Sequence, residues 1–131
     1  MSNNWVQDIH NMHAHYDMHV KFAEFDEEKK LQFLKFRTDF LQEELNELKD
    51  NMNNPEEIVD ALIDLCVVAI GTLDAYGIDS HRAWDEVLRA NMSKRVGVKP
   101  GRPNPLGLPD LMKPEGWTGP DHTGNHGTLV K

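Results

Sequence analysis

Two acid-bearing segments, Phe40-Leu41-Gln42-Glu43-Glu44-Leu45-Asn46-Glu47-Leu48 and Glu56-Glu57-Ile58-Val59-Asp60-Ala61-Leu62-Ile63-Asp64, flank a break at Asn51-Met52-Asn53-Asn54-Pro55. Both segments have the spacing of helices. At ~100° per residue, Glu47 lies ~60° from Glu44, and Phe33, Arg37, Phe40, Leu41 and Leu48 fall within ~60° of it. Two acids therefore stand inside the apolar stripe, with Glu43 at its edge. On the second segment Asp60 and Asp64 fall within ~60° of Glu57, together with Ala61 and Val68. Its other faces carry Ile58, Leu62, Ile63, Leu65, Val67 and Ile70. A helix apolar nearly all round is expected to be buried.

A break this short between two helices predicts an antiparallel hairpin. Counting outward from Met52, Glu47 comes level with Glu57, and Glu44 with Asp60. Four carboxylates meeting on buried faces cannot all stay charged alone, because each desolvated ion costs several kcal/mol. Either their pKa values rise or a cation sits among them, and all-oxygen ligation suits a hard ion such as Mg²⁺.

The pattern Glu-Glu-x-x-Glu followed by Glu-x-x-Asp resembles the motif of the MazG-like all-α nucleoside triphosphate pyrophosphohydrolases. That superfamily includes the dimeric dUTPases and the phosphoribosyl-ATP pyrophosphohydrolases. The nine residues between Glu47 and Glu57 are fewer than in many members, which leaves the ligand assignment open. Arg89-Ala90-Asn91-Met92-Ser93-Lys94 is similar to the family's Asn-x-x-Lys element, and Lys113-Pro114-Glu115-Gly116-Trp117 to the tail of its phage-encoded members. The resemblance implies Glu44, Glu47, Glu57 and Asp60 as metal ligands, with Asp64 as a further ligand or a support for one. It implies Glu43 as the group that orients or deprotonates water. It places Asn91 and Lys94 on the substrate phosphates, assisted by Arg95 or Arg37. The implied cofactor is Mg²⁺ or Mn²⁺, two or more ions per site.

The chain has 131 residues, 22 acidic against 14 basic, and a net charge of −8. That length predicts a single fold with a small core. The charge argues against a nucleic-acid or anionic-membrane surface. One cysteine, Cys66, permits no internal disulfide and suits a reducing cytoplasm. The apolar run Ala61 to Leu73 is too short to span a bilayer, and no signal-peptide pattern is seen. A cytoplasmic location is expected, in the host if the gene is carried by a phage.

Residues 4–23 carry a helical stripe of Trp5, Ile9, Met12, Tyr16 and Ala23, decorated by His10, His13, His15 and His19. These histidines read first as solvated or edge positions. His13 or His19 could alternatively line a nucleotide pocket, and a transition-metal site ranks below both. Asp26 is placed to cap a long second helix, with Glu27 and Glu28 in its positively polarised first turn. On it Arg37 has two readings of equal weight, an ion pair to the acids or a contact to phosphate. Asn54, Pro55 and Glu57 start the third helix as N-cap, N1 and N3 of a capping box, so Glu57 has a structural use as well. Gly77 marks its end. A fourth helix follows Asp79 or Ser80 and runs to about Arg95; Asn91 and Lys94 share its apolar stripe, where Lys94 could also be a snorkelling side chain. From residue 97 Pro and Gly recur too often for a helix or a central strand. Leu106, Leu108, Leu111, Met112 and Trp117 predict a tail pinned to the helices or to a neighbouring subunit.

The expected architecture is all-α: an antiparallel four-helix bundle over residues 1–96 and an irregular Pro/Gly-rich tail over 97–131. The expected activity, by resemblance, is hydrolysis of the α–β phosphoanhydride of a (deoxy)nucleoside triphosphate, with dGTP or GTP preferred. No nucleic acid or membrane is expected as partner, and the apolar third helix implies a homodimer or homotetramer. The competing reading is a non-catalytic helical module whose acids pair with Arg and Lys. A di-iron bundle would need Glu-x-x-His, which no glutamate here provides.

Overall fold

The computed structural model describes residues 2–98, 101 and 106–129. Five helices occupy most of them: α1 Trp5–His15, α2 Met18–Ala23, α3 Glu27–Asp50, α4 Pro55–Ala75 and α5 Ser80–Met92. Two three-residue strands follow, β1 Arg95–Gly97 and β2 Asp110–Met112. The chain is mostly helical, as the periodicity implied, but it divides into two compact units. The expected boundary at residue 96 falls inside the second of them.

The first unit comprises residues 1–80 and 124–131. Its frame is the α3–α4 hairpin. Asp26 caps α3, its carboxylate accepting from the Lys29 amide at 2.8 Å. Asn54 caps α4, with Pro55 in the first turn where a missing N–H costs nothing. Contacts run in reverse order along the two helices. Lys30 meets Tyr76, Arg37 meets Val68 and Thr72, and Glu44 feels Asp64. The helices are therefore antiparallel. The acid acting on Glu44 is Asp64, one helical turn beyond the Asp60 that level counting paired with it.

Helix α4 ends in a Schellman motif. The Gly77 amide donates to the Asp74 carbonyl at 3.0 Å and the Ile78 amide to the Leu73 carbonyl at 3.1 Å. Gly77 has φ 69°, which a side chain would resist. Just before it, Tyr76 is the most deeply buried large side chain of the unit. Its ring meets Phe22 edge-to-face at 5.2 Å, and its hydroxyl donates to the Lys30 carbonyl. Phe33, Phe25, Met18, Leu34, Ile78 and Leu129 complete this core. The end of the chain is fastened there too. The Thr128 amide donates to the Tyr76 carbonyl at 2.8 Å, and the Asn125 side chain bonds both backbone groups of Asp79.

Two expectations need correction. Residues 4–23 are not one helix: Asp17 adopts φ 59°, and the chain turns between α1 and α2. The turn lets Phe22 reach Tyr76, a tertiary gain that outweighs the local cost of a left-handed aspartate. Helix α5 stops at Met92, so Arg95 begins a strand. Separately, one chain does not supply all the cover that the apolar α4 calls for: Val59 is 62 % exposed and Leu62 and Ile63 are open as well.

The second unit comprises residues 81–123. β1 and β2 pair antiparallel, with Val96 opposite Leu111. Both are edge strands, where a Pro/Gly-rich sequence is tolerated. The Trp117 indole N–H donates to the Ala90 carbonyl at 2.8 Å, and Arg89 donates to the Gly119 carbonyl at 3.0 Å. These bonds hold residues 117–119 to α5, whereas Leu106 and Leu108 stay exposed. Pro100, Pro103 and Pro105 lie outside the described residues. No helix among the described residues is long and apolar enough to cross a membrane.

Candidate functional site

The acids of α3 gather on Glu44. Glu44 is half-buried, and its Oε2 is inaccessible to solvent with no hydrogen-bond partner. Burial pushes its carboxyl above the ordinary value. The charges of Glu47 and Asp64, the hydrogen-bonding approach of Glu47 and the charge of Glu43 push it the same way. An orphaned carboxylate oxygen among three more acids is the arrangement that a bound cation relieves, since unpartnered buried polar atoms are rare and costly. The donors are all carboxylate oxygens, which fits Mg²⁺ or Mn²⁺.

The burial expected for the whole cluster is not found. Glu43, Glu47, Glu57 and Asp60 are exposed, and Asp64 is half-buried. Glu57 and Asp60 occupy the first two turns of α4, where the Glu57 amide donates to Asn54 at 3.4 Å. Among the described residues, no three hairpin carboxylates bring ligand atoms within 4.8 Å of one another. The α3 acids and Asp64 are brought together; a closed cage is not built.

Arg37 is engaged by the hairpin itself. Its Nε donates to Thr72 Oγ1 at 3.0 Å and a terminal nitrogen to the Val68 carbonyl at 3.0 Å. Its guanidinium also lies over the Phe33 and Phe40 rings. Burial lowers its pKa, and no ion pair to a carboxylate is found for it among the described residues. Asn91, Lys94 and Arg95 belong to the second unit. There Lys94 and Lys113 hold their ammonium groups 5.3 Å and 5.1 Å from the Trp117 ring centre, within cation–π range. Asn91 and Arg95 are exposed.

A second cluster escaped the sequence reading. Asp74, in the last turn of α4, receives His10 Nδ1 on Oδ1 at 2.8 Å, and His13 Nδ1 and His19 Nε2 on Oδ2 at 2.7 and 2.8 Å. Helical spacing set His10/His13 and His15/His19 on different faces. The turn at Asp17 instead carries His19 back beside His10, their rings 4.5 Å apart. His15 is left exposed against Tyr16. The available signal was Asp74 itself, a carboxylate closing an apolar run, together with four histidines near the start of the chain. Burial pushes Asp74 upward, but the hydrogen bonds from His19, His10 and His13 outweigh it and hold the carboxyl below its ordinary value.

A family model described as phosphoribosyl-ATP pyrophosphohydrolase matches residues 18–91. That span runs from α2 through both acid segments to Asn91 and includes His19 and Asp74. No curated protein and no solved structure matches the chain.

Proposed function

Because the chain belongs to the phosphoribosyl-ATP pyrophosphohydrolase family, and is therefore a nucleotide pyrophosphohydrolase, we propose that it cleaves the α–β phosphoanhydride of a (deoxy)nucleoside triphosphate to a monophosphate and pyrophosphate. The reaction depends on Mg²⁺ or Mn²⁺, two or more ions per site, held by the hairpin carboxylates. The observation that carries this reading is the orphaned Oε2 of Glu44 among Glu43, Glu47 and Asp64.

Glu44 and Glu47 from α3, with Glu57, Asp60 and Asp64 from α4, are the proposed ligands. When bound, the ions supply Lewis acidity towards the phosphoryl oxygens and lower the pKa of water. Glu43, exposed beside Glu44, orients the attacking water and accepts its proton. Asn91 and Lys94 hold the phosphates, with Arg95 assisting. Arg37 is a positioning residue, because its donors already tie α3 to α4. Phosphoryl transfer asks mainly for such positioning and charge neutralisation. The likeness of residues 113–117 to phage members supports a deoxynucleotide, and guanine is our choice of base. We place the enzyme in the cytoplasm as a homodimer or homotetramer, which would cover Val59, Leu62 and Ile63.

The test is a panel of common ribo- and deoxynucleoside triphosphates and phosphoribosyl-ATP, assayed for pyrophosphate release with Mg²⁺, with Mn²⁺ and in excess chelator. Release from dGTP or GTP with either ion and none in chelator is expected. Full turnover in chelator would remove the metal from the mechanism, and preference for phosphoribosyl-ATP would overturn the substrate choice.

A further inference from the structure

Three imidazoles on one carboxylate are more than Asp74 needs. A single charged partner would satisfy the ion, and its remaining lone pairs could be met by water or backbone. Instead three side chains from α1 and α2 close on it, two of them on the same oxygen. One ligand atom from each of His10, His19 and Asp74 lies within 4.8 Å of the other two. The side chain of Asp74 is 10 % exposed, that of His13 only 7 %. The aspartate that redirects the chain to build this cluster, Asp17, sits at positive φ, and such backbone outliers concentrate where function fixes a geometry.

We propose that His10 Nδ1, His19 Nε2 and a carboxylate oxygen of Asp74 form a site for a borderline divalent transition ion, Zn²⁺ first, separate from the hairpin carboxylates. Two imidazole nitrogens and one carboxylate oxygen are the donor set of an open zinc site. Imidazole favours Zn²⁺, Cu²⁺ or Ni²⁺ over Mg²⁺ and Ca²⁺, which take oxygen. Tetrahedral bonds of about 2.0–2.2 Å separate donor atoms by about 3.3–3.6 Å; the two imidazole nitrogens now stand 2.8 Å from different oxygens of Asp74, with one ligand atom of each residue within 4.8 Å of the other two. Neutral His10 and His19 bind the ion through the lone pair of the nitrogen that faces Asp74, the proton there moving through water to the other ring nitrogen, so each ligand imidazole stays neutral. Only short side-chain shifts are required.

His13 is the positioning residue. Its Nδ1 bonds Oδ2 from a buried place, fixing the carboxylate as partners of metal ligands do elsewhere. All three ligands line a cavity of about 480 Å³ shared with Phe22, Lys30 and Tyr76. A fourth coordination position therefore has room for water or a small anion. The bound ion joins α1 and α2 to the end of α4, and stabilises the first unit by mass action.

Untagged protein, stripped with chelator and then held in saturating Mg²⁺ to fill the hairpin, is titrated with Co²⁺ as a spectroscopic probe. One equivalent per chain should bind with visible d–d bands of a nitrogen-ligated site, and Zn²⁺ should displace it and raise the melting temperature. The bands should persist in Glu47→Gln. They should be lost in His10→Ala and His19→Ala, and His13→Gln should weaken binding about 10- to 100-fold. His10 has a half-exposed side chain, so its variant is expected to keep wild-type circular dichroism and decides the matter if His13→Gln does not fold. Absence of bands in the wild type, their survival in both ligand variants, or their loss in Glu47→Gln would overturn the assignment. Because none of these readouts is turnover, a failure here leaves the hydrolase reading untouched, and the converse holds too.

Discussion

Glu44 has no structural reason to lose its water. Its orphaned Oε2 costs stability in the absence of a cation, and that makes a sign test possible. Below the ordinary glutamate pKa of 4.5 both folded and unfolded chains hold the proton. Above it the unfolded chain releases the proton while the folded chain, with its raised pKa, retains it. Metal-free stability should therefore fall as pH rises through the window between the two values, then level off. Glu44→Gln should flatten that dependence and melt no lower than wild type in chelator, while losing turnover by orders of magnitude with Mg²⁺. A variant that melts markedly lower in chelator would mean that Glu44 is a structural partner instead. Tyr76 gives the opposite edge of the pH range. Burial raises its phenol above 10.0, so its contribution is complete below pH 10 and is lost as pH rises beyond it. Tyr76→Phe should cost about 1 kcal/mol at neutral pH, by removing the hydroxyl's bond to the Lys30 carbonyl, and should weaken the alkaline loss. Thermal melts at pH 8 and pH 11 check both statements. At this scale the sequence displayed the α3 acids plainly, because helical spacing alone puts Glu44 and Glu47 in an apolar stripe. It hid the Asp74 cluster, because that depends on a reversal of direction at Asp17 with no glycine or proline to announce it.

Among the elements, caps were the most legible features. Asp26, Asn54, Pro55 and Gly77 all mark helix ends where expected, since each acts through backbone bonds within a few residues. The register of α3 against α4 was not legible to better than one turn, because it is fixed by distant contacts. Arg37 is the clearest of these, its guanidinium threaded between Phe33, Phe40, Thr72 and the Val68 carbonyl. Gly71 makes room for it: a Cβ there would meet the Arg37 guanidinium and stand 3.3 Å from the His13 ring. Gly71→Ala should therefore destabilise the protein by about 1–3 kcal/mol through overpacking, although alanine is the better helix former. A denaturant melt showing equal or higher stability would mean that the Arg37 guanidinium moves aside at little cost.

For the whole molecule, the apolar character of α4 was readable, and so was its need for cover beyond one chain. Val59, Leu62 and Ile63 remain open in a single chain, and the proposed second copy would cover them. Light scattering should give a dimer or tetramer, and the double change Leu62→Glu with Ile63→Glu should give a monomer of unchanged helicity; an unchanged mass would place the interface elsewhere. Family membership removes the non-catalytic module as an alternative. What it leaves to experiment is the bond that breaks, and this is read directly by ³¹P NMR of dGTP incubated with the enzyme and Mg²⁺. Cleavage between the α- and β-phosphates gives loss of the triphosphate resonances with growth of one monophosphate and one pyrophosphate signal. Orthophosphate and dGDP as the products, from wild-type enzyme at full turnover, would contradict it.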